Sequence, residues 1–119
     1  MKSDQYKLSQ SIYNLLTNSY KYTPSNDSVY IDYKEENDKL ILSIKDTGLG
    51  ISDFDKEKIF DAYYRSNNTL QIKGEGIGLF VVKENITLLQ GKIVVESELD
   101  KGSNFTIKIP LILKEQIKI

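Results

Sequence analysis

Leu40-Ile41-Leu42-Ser43-Ile44-Lys45-Asp46-Thr47-Gly48-Leu49-Gly50-Ile51 is the stretch from which the fold can be read. Residues 40–45 carry the alternation of a half-buried strand, and a carboxylate followed by two glycines ends it. Working back, residues 29–33 alternate too, and 35–39 lie between as a turn, so the pair reads as an antiparallel hairpin. Further upstream, Leu8, Ile12, Leu15, Leu16 and Tyr20 recur at helical spacing over residues 4–20, with Ser3 or Asp4 as cap. Pro24 and the polar run Ser25-Asn26-Asp27-Ser28 end that helix in a loop. Downstream, residues 55–63 read as a short helix with Ile59, Phe60 and Tyr63 on one face. Residues 66–75 are polar and weakly patterned, a loop. Residues 77–89 are helical, with Ile77, Val81, Ile86 and Leu89 inward and Gly91 just past the end. Residues 92–98 and 104–110 are strands joined by the turn Leu99-Asp100-Lys101-Gly102. This order predicts a two-layer α/β sandwich: helices on one face of a mixed, mainly antiparallel sheet.

The chain has 119 residues, the size of one domain, with 39% hydrophobic and 28% charged residues. A net charge of −1 argues against a general DNA or RNA binder, which needs a basic excess to displace counterions. No apolar run approaches a membrane span, and no signal-peptide pattern is present. Cysteine and histidine are both absent. Disulfides, thiolate nucleophiles, a Ser-His-Asp triad and imidazole acid–base chemistry are therefore excluded. The lack of cysteine suits the cytosol.

Five of the seven glycines fall in two places: Gly48 and Gly50, then Gly74, Gly76 and Gly78. Glycine lets a backbone approach a ligand closely and point N–H groups at it. Gly74-Glu75-Gly76-Ile77-Gly78-Leu79 runs straight into a helix, whose first amides form an anion site. It is neither the dinucleotide-binding fingerprint nor a P-loop, and an ordinary flexible loop is the commoner reading of the glycines alone. Asp46, at a strand's end, can accept from an exocyclic amine such as adenine's, or merely cap a turn. Asn14 and Asn18 share a helix face, with Lys21 one turn on and Tyr22 beside it. Amide oxygens suit Mg²⁺, an ammonium suits phosphate, and a tyrosine ring stacks on a base. A solvated face rich in Asn and Lys is the plainer alternative.

Taken together, these segments resemble the catalytic ATP-binding domain of bacterial sensor histidine kinases, the Bergerat-type fold shared with DNA gyrase, MutL-type repair ATPases and heat-shock chaperones. Ile12-Tyr13-Asn14-Leu15-Leu16-Thr17-Asn18-Ser19-Tyr20-Lys21-Tyr22-Thr23 is similar to the asparagine box. Asp46-Thr47-Gly48-Leu49-Gly50-Ile51 is similar to the first glycine box, and residues 74–79 to the second. Ile59-Phe60-Asp61-Ala62-Tyr63-Tyr64-Arg65 is similar to the phenylalanine box. The resemblance implies that Asn18 binds Mg²⁺ with Asn14 supporting it, that Lys21 contacts phosphate, and that Tyr22 lies against the adenine. It implies that Asp46 reads the adenine amine in a pocket shaped by Gly48, Gly50 and Ile51. It makes residues 66–75 the ATP lid, with Phe60 at its base and Arg65, the only arginine, reaching the γ-phosphate. Gly74, Gly76, Gly78 and Leu79 would bring backbone to the phosphates.

Three departures stand out. Glu75 occupies a position where the family has a small or hydroxylated residue. A strand that precedes the first helix in the family is missing, so the chain reads as one catalytic domain, residues 1–119, cut from a larger kinase. The phosphoacceptor histidine belongs to a separate dimerisation domain, which makes that domain the expected partner, a response regulator the indirect one, and a cytosolic monomer the expected state. The ATPase branches place a glutamate as general base where this chain has Asn14, which favours phosphotransfer over hydrolysis. A nucleotide-binding regulatory module and a gyrase- or MutL-like ATPase are the alternatives.

Overall fold

The computed structural model describes residues 2–21, 23, 27–61 and 78–110. Helix α1 spans Lys2–Lys21, β1 Val29–Glu36, β2 Lys39–Asp46, α2 Asp53–Lys56, α3 Gly78–Leu88, β3 Lys92–Glu98 and β4 Gly102–Pro110. The strands form a four-stranded sheet in the order β1-β2-β4-β3. Every pairing among them is antiparallel. The two long helices pack on each other and on one face of the sheet.

The β1–β2 hairpin is tighter than its sequence suggests. Asn37 and Asp38 both take left-handed backbone angles, φ 53° and 60°. Two such residues in a row make the two-residue turn whose twist matches that of the strands. Pairing therefore extends to Glu36 opposite Lys39, and the strands outrun residues 29–33 and 40–45. Register then fixes the faces. Leu42, Ile44 and Asp46 on β2 stand opposite Ile107, Phe105 and Ser103 on β4, and all six are buried. Their neighbours Lys45 and Glu96 point to the exposed face.

α1 starts earlier than residue 4, so Asp4 lies in its first turn instead of capping it, and Lys21 lies in its last. Both placements suit the helix dipole. Its buried stripe is Ser11, Leu15 and Ser19, flanked by Leu8, Ile12 and Leu16. Tyr20 is not inward: it is 81% exposed. Two serines occupy the stripe, so apolar spacing alone assigns the wrong neighbour. The same effect shifts α3. Val82, Asn85 and Ile86 are its buried residues, not Val81, which is half-buried. Asn85 holds an inward position because its amide donates to the Lys7 carbonyl at 3.3 Å and to Gln10 Oε1 at 2.9 Å, tying α3 to α1. An amide so paired can be buried without large cost.

Helix α2 is a single turn, not the longer helix read over residues 55–63. Ser52 caps it, accepting from the Asp55 N–H at 3.1 Å, and residues 57–60 continue as turns. Ile59 is nonetheless buried, and the Phe60 ring stands edge-on to Phe105 with centroids 6.4 Å apart. Tyr63, the loop over 66–75 and Ile77 lie outside the described residues. At the end of α3 the left-handed residue is Gln90, φ 62°, and the Gly91 N–H bonds to the Ile86 carbonyl at 2.8 Å. That pair of features is a Schellman ending.

Two glycines are required by geometry. Gly50 (φ 73°) and Gly102 (φ 95°) both take left-handed angles. A Cβ on Gly50 would overlap the Glu98 carbonyl, and one on Gly102 would overlap the Asp46 carbonyl. Gly78 is different, since a Cβ there meets nothing within 4 Å. Urea unfolding is expected to show Gly50→Ala and Gly102→Ala destabilised by about 2 kcal/mol or more, from strain and overlap together. Gly78→Ala is expected to leave stability unchanged or to raise it by up to about 1 kcal/mol.

Candidate nucleotide site

Asp46 lies at the centre of the site. It is the last residue of β2 and only 5% exposed. Its Oδ1 accepts the Gly48 N–H at 2.9 Å, and the Ser103 N–H and the Ser19 hydroxyl also bear on the carboxylate. Burial pushes its carboxyl above the ordinary aspartate value, and these three donors pull against that shift. A carboxylate held this way keeps acceptor positions directed at a ligand.

The loop after Asp46 is fixed at nearly every residue. The Thr47 N–H bonds to the Ser28 carbonyl at 3.1 Å, and the Ser28 N–H returns to Thr47 Oγ1 at 2.9 Å. The Leu49 carbonyl accepts the Asp100 N–H at 2.8 Å. The Ile51 N–H donates to Ser97 Oγ at 2.7 Å. Ser97 in turn donates to the Gly102 carbonyl at 2.8 Å and lies 2.9 Å from Ser103 Oγ. A hydroxyl has one proton. Since that of Ser97 goes to Gly102, Ser103 supplies the proton of the Ser97–Ser103 bond. Gly50 sits flat on the β3–β4 turn, so its glycine is needed for the loop's seat on that hairpin. The loop is thus rigid before any ligand arrives.

The second part is the polar side of α1. Asn14, Asn18 and Lys21 lie four and three residues apart on this helix, so they share a face. Asn14 Nδ2 donates to the Gly78 carbonyl at 3.4 Å, which brings the start of α3 to that face. Gly78 leaves open space beside it. Asn18 is half-buried and forms no hydrogen bond among the described residues, while Lys21 is exposed. Among the described residues the first turn of α3 carries no acidic side chain to compete with an anion there. Leu79 packs on the core behind it.

Among the described residues no group of three or more Asp, Glu, His or Cys is placed to hold a metal. An ion here would need amide oxygens and the oxygens of a ligand, a donor set that suits Mg²⁺ bound to phosphates. Among the predicted site residues the structure joins Gly48 to Asp46 and Asn14 to Gly78, and it puts Asn14, Asn18 and Lys21 on one helix. Phe60 belongs to the core edge, with Lys83 Nζ 5.8 Å from its ring centroid. Tyr22, Arg65, Gly74 and Gly76 lie outside the described residues. Sequence reasoning missed Ser19, Ser97 and Ser103. A signal for two of them existed: Ser97 and Ser103 flank the β3–β4 turn symmetrically and pair across it.

Comparison with known proteins agrees with this fold. A family described as histidine kinase-, DNA gyrase B-, and HSP90-like ATPase matches residues 3–113. The autoinducer 2 sensor kinase/phosphatase LuxQ of Vibrio vulnificus is 34% identical over 93% of this chain and 14% of its own length. The sensor histidine kinase WalK of Bacillus subtilis is 38% identical over 90% of this chain and 18% of its own. The chain therefore spans less than a fifth of these relatives. The full-length structure of ShkA in complex with AMPPNP superposes with a TM-score of 0.77 at 26% identity, covering 87% of this chain and 21% of that one.

The raised pKa of Asp46 has a sign that can be measured. Between the ordinary carboxylate value and its own, the folded chain holds a proton at Asp46 that the unfolded chain has released. This group's contribution is therefore fully present below the ordinary value and is lost as pH rises through the raised one. Thermal melts against pH are expected to show that contribution as a difference between the parent and Asp46→Asn, with the parent gaining relative to the variant as pH falls through this window. A relative loss on acidification would contradict the burial argument.

Proposed function

Because the chain belongs to the histidine kinase-, DNA gyrase B- and HSP90-like ATPase family, we propose that it binds Mg·ATP and presents the γ-phosphate to a histidine on a partner domain. The observation that supports this reading best is the buried, preset Asp46 carboxylate beside Ser19 of α1, the helix that also bears Asn14, Asn18 and Lys21. Asp46 accepts from the adenine amine. Gly48, Gly50 and Ile51 hold the base pocket in shape. Asn18 offers its amide oxygen to Mg²⁺, and Asn14 fixes the start of α3 so that its N–H groups meet the phosphates. Lys21 adds a positive charge at the same end. When bound, the metal neutralises charge on the phosphates and the transferring group. Tyr22, Arg65, Gly74 and Gly76 are proposed to complete the site, as the resemblance implies.

Catalysis on this reading is positioning and electrostatics, with no covalent step on the protein. The chain has no histidine of its own, so the acceptor must come from another domain. Asn14 is an amide that donates to Gly78, and an amide gives water no useful base. Transfer to a partner is therefore favoured over hydrolysis. Among the described residues no helix is long and apolar enough to cross a membrane. We place this domain on the cytosolic side, with a response regulator as the eventual receiver of the phosphoryl group.

The test mixes the chain with a histidine-bearing dimerisation domain of a sensor kinase and Mg·ATP labelled at the γ-phosphate. Label is expected on the acceptor histidine, with little phosphate released when the acceptor is left out. Asn18→Ala is expected to cut transfer by about 100-fold or more, the scale of losing one preset electrostatic contact. Tight nucleotide binding with no transfer to any acceptor would support a regulatory module instead. Acceptor-independent phosphate release would support a gyrase-like ATPase.

A further inference from the structure

Strand β1 forms one edge of the sheet. Its register with β2 runs unbroken from Val29 to Glu36, without bulge or proline, and every residue after Val29 is exposed. Edge strands are ordinarily blunted by such devices, because their N–H and C=O groups template a further strand. The phase of the ladder shows which groups point outward. The Thr47 N–H bonds to the Ser28 carbonyl, so this pair, next beyond Val29 and Asp46, is a hydrogen-bonded one. Bonded and non-bonded pairs alternate along an antiparallel ladder. Counting on by twos, Tyr30, Asp32, Lys34 and Glu36 bond to β2, while Ile31, Tyr33 and Glu35 turn their N–H and C=O groups to the open edge.

The side chains of this strand are uncovered too. Ile31 and Tyr33 stand opposite Ile44 and Leu42, which are buried, so they lie on the face where the helices pack. The helix layer does not cover them: Ile31 is 52% and Tyr33 71% exposed. On the other face Asp32 and Lys34 are neighbours of opposite charge, and Lys34 makes only a loose, exposed pair with Glu36 at 3.7 Å.

This pattern is complementary to itself. A second copy related by a twofold axis presents its β1 antiparallel to the first. With the axis at Tyr33, Ile31 falls opposite Glu35 and Tyr33 opposite Tyr33, so the outward N–H and C=O groups meet each other. Asp32 falls opposite Lys34 twice, in the non-bonded positions where side chains come closest. The two Tyr33 rings and, on the diagonals, the Ile31 side chains cover one another. Other registers lose this match. An axis at residue 32 sets Asp32 against Asp32. An axis at residue 34 sets Lys34 against Lys34 and Asp32 against Glu36. An axis between residues opposes the two faces of the strand.

We propose that β1 is a self-association edge, through which two copies of this chain join their sheets with Tyr33 on the axis. The monomer expected from the sequence is then the dilute state. The proposal does not depend on the nucleotide reading, since β1 holds none of the site residues.

The test is sedimentation equilibrium of the full chain, with amide hydrogen exchange on dilute and concentrated samples. The parent is expected to pass from monomer to dimer as concentration rises. Exchange at Ile31, Tyr33 and Glu35 is expected to slow with it, while Asp32 and Lys34 stay protected throughout. Asp32→Lys and Lys34→Glu each set like charges opposite one another twice, and each is expected to weaken self-association by about 10-fold or more. Mixing the two variants sets opposite charges together again, and a mixed dimer is expected to form, which also shows that both variants are folded. A parent that stays monomeric at every concentration overturns the proposal and leaves the edge to a strand of another kind. Dimers that leave the exchange of Ile31, Tyr33 and Glu35 unchanged overturn it, and so do single variants that associate as the parent does or a mixture that does not associate.

Discussion

The site depends on one close approach: the end of β2 lying against the β3–β4 turn. Gly102 has no side chain, which lets the Asp46 backbone come in, and Gly50 has none, which lets the following loop fold back onto Glu98. Ser97 sits at the junction and ties Ile51, Gly102 and Ser103 together through one hydroxyl. Asp46 is buried because of this closure, and it is directed because Gly48 and Ser103 hold it. A carboxylate in water spends its acceptors on water. Here burial raises the cost of leaving them empty, which makes the carboxylate selective for a ligand that donates.

The helix layer supplies the other half. α1 turns its inward stripe to the core and keeps Asn14, Asn18 and Lys21 on another side, so on the proposed reading one helix serves both packing and binding. Asn85 fastens α3 to α1 through Lys7 and Gln10, and Asn14 reaches Gly78 at the start of α3. The spacing between the amide groups of α1 and the N–H groups of α3 is thereby set by side-chain amides rather than by apolar contacts alone. Such contacts are directional, and a site that must hold phosphates in one geometry benefits from that.

Much of this was legible in the sequence. The alternation over residues 40–45, the helical spacing from Leu8 to Leu16 and the glycine positions gave the element order, the two layers and the residues around Asp46. What escaped was polar and buried. Apolar periodicity passes over Ser11, Ser19 and Asn85, so it put Tyr20 and Val81 inward in place of Ser19 and Val82. It also stretched α2, because Ile59 and Phe60 reach the core from turns that share no helical face with Ser52. Gln90, not a glycine, takes the left-handed position after α3, since the glycine beside it is required by the Lys108 carbonyl. Each of these departures follows from hydrogen bonding or close backbone approach, which a reading of hydrophobic pattern does not see.

The most direct test of the account is an amide chemical-shift map of the ¹⁵N-labelled chain titrated with Mg·AMP-PNP. Shifts are predicted to concentrate at Asn14, Asn18, Ser19, Gly48, Ile51 and Ser103 and at the first turn of α3, and to leave Lys45 and Glu96 on the exposed face of the sheet unmoved. Shifts confined to that exposed face, or a titration that moves nothing in a folded chain, would contradict the claim that the Asp46 corner and the polar side of α1 form one nucleotide site.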